Sequence, residues 1–206
     1  MTSRVNPSVL GVLVASVWLA GTVGAAQSRF ESPTAGLSIA PPAGWHVTSM
    51  QRVMDNRAQV RLPDAELTAG LQRATAPLVV FSKYPEPHAT LNPTAQVVLR
   101  PLPASLGAAA TEMLAAATAT LQRAFPDFTF VDPIQPATVS GLPAAYMKAT
   151  YTLRTASGAA FPVLSRTWLV PRGKVMFLIG MSGTTSGEDV SEAEFQAVLE
   201  SIHIEP

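Results

Sequence analysis

Residues 144–181 read AAYMKATYTLRTASGAAFPVLSRTWLVPRGKVMFLIGM, and this stretch decides the fold. Ala145, Met147, Ala149, Tyr151 and Leu153 alternate along its first part, the period of a strand with one apolar face. Thr155-Ala156-Ser157-Gly158 then supplies a hairpin loop, and the next strand is expected from about Phe161 to Val170. Pro171-Arg172-Gly173 is a second tight turn, with proline and glycine where their backbone preferences help. Beyond it Val175, Phe177, Ile179 and Met181 alternate with Met176, Leu178 and Gly180. Successive strands joined by such short turns form an antiparallel meander.

Upstream, Ser140-Gly141-Leu142-Pro143 turns the chain into this meander, and Phe128-Thr129-Phe130 alternates before it. The longest helix is expected over Leu106 to Phe125, with Ser105 as N-cap and Pro126 as terminator. Its alanine-rich stripe suits close packing on a sheet, and its outer face carries little charge beyond Glu112 and Arg123. Leu78 to Phe81 is a continuous apolar run of strand length, and Ala95 to Leu99 reads as another strand. Pro63-Asp64-Ala65-Glu66 with Leu67 and Leu71 suggests a short helix closed by Arg73, whereas Thr48 to Leu62 shows no clean period. From Phe30 to Trp45 the text FESPTAGLSIAPPAGW gives an N-terminal β-hairpin stopped by Pro41 and Pro42.

The C-terminal helix is the best specified element. Ser191-Glu192-Ala193-Glu194 reads as a capping box, Val190 and Phe195 as a hydrophobic staple, and Phe195, Val198, Leu199 and Ile202 as one apolar face. The order of elements predicts an α+β domain over residues 28–206, a central antiparallel β-sheet flanked by helices on both faces, with no internal repeat and no dividing linker.

Composition bounds the function. Of 206 residues 48% are hydrophobic and 14% charged, which excludes a disordered chain. Fourteen basic side chains balance fourteen acidic ones without clustering, so no nucleic-acid partner is expected. The absence of cysteine excludes a disulfide framework, a thiolate zinc site and a lipid-modified N-terminal cysteine. Residues 1–25 have the layout of a secretory signal peptide: Arg4, an apolar stretch from Val9 to Ala20, and small residues leading to cleavage near Ala25 or Ala26. The apolar core is shorter than a bilayer span, so a periplasmic or secreted protein is expected, touching a membrane only if the leader stays uncleaved.

Gly36-Leu37-Ser38-Ile39 leading to Pro42-Ala43-Gly44-Trp45, then Val139-Ser140-Gly141-Leu142-Pro143-Ala144, and the closing Phe195 to Ile202, together resemble the PsbP-like family. That family is also met in DcrB-type bacterial exported proteins and shares its fold with a Ran-binding yeast protein. The resemblance spans nearly all of the mature chain and implies an α/β/α sandwich with extrinsic or accessory roles. It carries over no ligand residue, because no matching ligand motif is present.

The search for chemistry returns little. His46, His88 and His203 lie far apart without metal-ligand spacing, so no metal and no cofactor are expected. Glu188, Asp189, Glu192 and Glu194 cluster where a helix starts, which favours capping over calcium binding. Gly180-Met181-Ser182-Gly183 lacks the spacing of a nucleophile elbow, and Gly173-Lys174 lies in a turn rather than before a helix, so no catalytic residue is nominated. The run Ser182 to Gly187 reads as a loop. Trp45, Tyr146, Arg166 and Trp168 are the candidates for a ligand or partner surface, Arg166 and Trp168 sharing one strand face, with a core role for these aromatics as the competing reading. The expected function is a noncatalytic exported accessory or protein-binding domain with an envelope protein partner. A small-molecule or lipid-binding module and an enzyme with a nonstandard site are the alternatives.

Overall fold

The computed structural model describes residues 29–102, 109–186 and 191–206. The leader, its cleavage site at Ala25 and Ala26, the start of the long helix at Ser105 and Leu106, and the staple residue Val190 lie outside the described residues, as do Glu188 and Asp189.

The meander is present as strands β8 (Leu142–Thr155), β9 (Ala160–Arg172) and β10 (Val175–Thr184), each pairing antiparallel with the next. The strands run past the expected limits: Leu142, Pro143 and Thr155 extend β8, Ala160, Pro171 and Arg172 extend β9, and Ser182 to Thr184, expected in a loop, continue β10 because they stay paired with β9. Strand β7 (Thr129–Val139) precedes β8 and pairs with it through the turn Ser140-Gly141. Both turn residues have positive φ, 52° and 76°, as a tight twisted hairpin requires. Glycine carries that conformation freely; Ser140 is held by its Oγ, which accepts from the Ile204 N–H at 2.9 Å.

On the other side of the meander lie β6 (Thr94–Pro101), β5 (Val79–Ser82) and β3 (His46–Val47), and β4 (Val60–Arg61) completes the large sheet beside β8. The strand order is β3-β5-β6-β10-β9-β8-β4, with β7 also on β8. A small second sheet joins β1 (Phe30–Ser32), β2 (Leu37–Ile39) and β11 (His203–Ile204) in the order β1-β2-β11. The β1–β2 connection is a 3₁₀ turn, Pro33–Ala35, closed by Gly36 at φ 58°. A side chain there would be strained, and a Cβ would stand 2.5 Å from Arg172 Nη1.

Among the described residues four α-helices accompany the sheets. The stretch Thr48 to Leu62, which shows no clean period, holds α1 (Met50–Gln59), capped by Ser49, whose side chain accepts from the Arg52 N–H. No residue of α1 is buried. The helix α2 (Ala65–Arg73) starts on Asp64, whose carboxylate accepts from the N–H groups of Glu66 and Leu67. The helix α3 (Ala110–Ala124) ends before Pro126 as expected, but its N-cap position is Ala109, which offers no side-chain cap. The helix α4 (Glu192–Ser201) begins with the full capping box: the Ser191 hydroxyl accepts from the Glu194 N–H, and the Glu194 carboxylate accepts from the Ser191 N–H.

Alternate residues of the meander join different cores. Trp168 and Val170 of β9, with Phe177, Ile179 and Met181 of β10, pack with Phe195, Val198 and Ile202 of α4 and with Trp45, Phe81, Val97, Leu37 and Ile39. Leu169 of β9, with Ala145 and Met147 of β8, packs with Met113 and Leu114 of α3, supported by Met176 and Leu178. Val198 is fully buried while Leu199 is only half-buried, so the inward face of α4 is centred one residue earlier than its sequence suggests.

Candidate functional site

A groove of about 390 Å³ lies between α4 and the strands β7, β8 and β9. Its lining includes Gln135, Pro136 and Ala137 from β7, Tyr146 from β8, Arg166 and Trp168 from β9, and Glu192, Phe195, Gln196 and Leu199 from α4. Strand alternation builds the floor: Arg166 and Trp168 are two residues apart and share a face, and Tyr146 is the direct cross-strand partner of Trp168. The Tyr146 and Trp168 rings lie with centroids 4.9 Å apart. Three of the four nominated residues therefore meet in one groove.

Trp45 does not join them. It is 1% exposed, stands edge-on to Phe195 at 6.2 Å, and donates its indole N–H to Glu194 Oε1 at 3.1 Å. Its role is to fasten α4 against the sheet, which is the core reading of that aromatic.

Glu194 is the hub of this fastening. Its carboxylate accepts from Lys83 Nζ at 3.0 Å as well as from Trp45 and the Ser191 N–H and hydroxyl. Desolvation opposes its ionisation, but the Ser191 backbone, Lys83 and Trp45 outweigh that and hold its carboxyl down to about 2. A lowered folded-state value means that this stability is complete above the unfolded value of 4.5 and is lost as the pH falls towards 2. Because solvent reaches about a quarter of the side chain, the loss should be on the order of 1–2 kcal/mol rather than the full unscreened amount. Chemical denaturation at pH 5 and pH 2.5 checks it: Glu194→Gln should flatten the decline seen in the wild type, and an equal decline in both proteins would remove Glu194 as its source.

Arg166 is 6% exposed and its guanidinium lies over the Phe195 ring, 4.7 Å from the centroid. It donates to Glu192 Oε1, which also accepts from Lys148 Nζ at 3.4 Å. Partial desolvation works against the Glu192 carboxylate, yet Arg166 and Lys148 hold its carboxyl below the ordinary range. The Tyr146 hydroxyl donates to Asp132 Oδ2 at 3.2 Å, and desolvation together with the Asp132 charge pushes the phenol up to about 12, so it stays protonated.

Sequence reasoning missed Lys148, Glu192, Phe195 and Asp132 as parts of this site. Glu192 was read with the capping acids, but only Glu194 makes the cap; Glu192 reaches back over the sheet to Arg166. Lys148 carried a usable signal, since it lies two residues from Tyr146 on the same strand face. Among the described residues no group of His, Asp or Glu side chains is placed to hold a metal.

No protein-family model matches the chain, and no curated protein does. Solved structures do. Cyanobacterial PsbP (CyanoP) from Synechocystis sp. PCC 6803 superposes with a TM-score of 0.54 at 14% identity, covering 93% of this chain and 100% of that one. LpqN, involved in cell envelope biogenesis of Mycobacterium tuberculosis, superposes with a TM-score of 0.52 at 15% identity, covering 82% of this chain and 83% of that one. At such identities the likeness is one of fold: the chain is an α+β protein with a PsbP-like fold, built on mostly antiparallel sheet.

Proposed function

We propose that the protein is a noncatalytic binding domain of the bacterial cell envelope, exported by its leader, which engages a protein partner through the groove under α4. The observation that carries this reading is the groove itself: a buried cation, two aromatic rings in tilted contact and exposed polar rims at Gln135 and Gln196, without a nucleophile–base pair among its lining residues. The envelope setting is supported by the fold shared with LpqN and by the apolar leader, which ends in small residues. None of the described helices is long and apolar enough to cross a membrane. The layered form of the domain belongs to the same proposal: α4 covers one face of the large sheet and α3 the other, an α/β/α sandwich.

Site-directed photo-crosslinking in the source cells tests it. A photoreactive residue in place of Gln196 in the full chain should give a protein-sized adduct in the envelope fraction, and one in place of Arg73 on α2 should not. Adducts of equal yield at both positions, or none at 196, would overturn the reading. A small-molecule adduct at 196 would replace it with the ligand-binding alternative.

A further inference from the structure

Resting on the groove as the binding site, the chemistry of its occupant can be argued from one atom. Lys148 on β8 and Arg166 on β9 are direct cross-strand partners. Like charges in that register repel unless an anion joins them. Both converge on Glu192 Oε1. The cations are held in place, with side chains 20% and 7% exposed, but the carboxylate that satisfies them is 71% exposed. A guanidinium buried to this degree needs an anion at that point, because removing its counter-charge leaves an uncompensated charge in a low dielectric. It does not need that anion to be Glu192.

The surroundings select what else could stand there. The Phe195 ring supports one face of the Arg166 guanidinium, and a planar fork of N–H donors fits a carboxylate with two oxygens. Asp132, opposite Lys148 on β7, is engaged by the Tyr146 hydroxyl. Beyond the charges, Trp168, Pro136, Ala137 and Leu199 offer apolar contacts between the polar side chains of Gln135 and Gln196.

We propose that the groove takes a carboxylate carried on an apolar stem, and that Glu192 occupies the carboxylate position in the unliganded chain and swings out to admit it. Glu192 sits at the first position of α4, so a side-chain rotation suffices and the Ser191–Glu194 cap stays intact. The Glu192-bound form lowers the apparent affinity by the fraction of time it holds the site.

Two sources of such a carboxylate are separated by the probes: decanoate stands for a free amphiphile, and a hexapeptide ending in leucine stands for the C-terminus of a partner. Decanol and the C-terminal amide of the same peptide are their neutral counterparts. In calorimetric titrations of the full chain, Glu192→Ala should bind one of the carboxylates about tenfold more tightly than the wild type. Lys148→Gln should weaken it by about tenfold, and the neutral counterparts should bind to none of the proteins. The same carboxylate should raise the melting temperature of Glu192→Ala more than that of the wild type, because it restores the lost counter-charge. Glu192→Gln, which keeps an oxygen for the two cations, serves if the alanine variant fails to fold, and should also gain affinity.

Decanoate alone binding assigns the amphiphile, and the peptide alone assigns the partner's C-terminus. Folded Glu192 variants that bind neither carboxylate better than the wild type would overturn the proposal. If position 196 still captures a partner in that case, the groove remains the binding site and its occupant has other chemistry.

Discussion

Phe195→Ala should lower the stability of the domain by about 3–5 kcal/mol, the range for emptying a fully buried aromatic position. Phe195 is 2% exposed and is touched from both sides: the Trp45 ring meets it edge-on and the Arg166 guanidinium rests on its face. Truncation therefore removes apolar burial, an aromatic contact and the support of a buried cation at once. For a protein of this length the melting temperature should fall by roughly 10 °C. Phe195→Leu, which refills most of the volume but lacks the ring, should recover more than half of the loss. Scanning calorimetry of the three proteins decides it; an alanine variant within about 1 kcal/mol of the wild type would mean that α4 is not anchored at this residue.

Leu114→Ala should cost about 2–5 kcal/mol, in the second core cluster. Leu114 is 1% exposed and packs with Met113, Ala145, Met147 and Leu169, none of which belongs to the cluster around Phe195. The two losses should then add to within about 0.5 kcal/mol in the double variant, as they do for sites without shared neighbours. A clear departure from additivity in denaturant melts would show that strain passes through the sheet from one cluster to the other. Agreement would make the meander a true partition.

The meander was legible because apolar residues alternate along β8 and β10 and because short Gly- and Pro-bearing turns separate the strands. Most of β7 was not. Pro133 and Pro136 lie within it, β7 pairs with β8 alone among the described strands, and its register shifts between Phe130 and Asp132 and again before Gln135. An edge strand with bulges tolerates proline where a central one does not. The helix α1 was silent for the opposite reason: with no buried residue, it leaves only its Ser49 cap in the sequence.

The candidate site divides in the same way. Arg166 and Trp168 could be placed together by counting along one strand, and their faces agree with the groove. Trp45 could not be excluded by counting, because what withdraws it is an indole–carboxylate contact across 149 residues of chain. Glu192 was hidden behind a correct local explanation, since acids at a helix start need no further reason until the strand beneath is seen to carry Arg166.

The small sheet has a consequence for when the molecule can finish folding. His203 and Ile204 pair with Ser38 and Leu37, the Ser201 hydroxyl donates to the Ala40 carbonyl, and Ser140 ties down Ile204. A chain delivered N-terminus first thus holds β2 paired only with β1 until β11 has arrived. Leu37 and Ile39, fully covered in the finished fold, wait uncovered in the interim. Closure of so long a loop is entropically slow to nucleate and must wait for β11 to emerge. Strand β11 works as a latch: the small sheet stays incomplete until it arrives and is completed when it does.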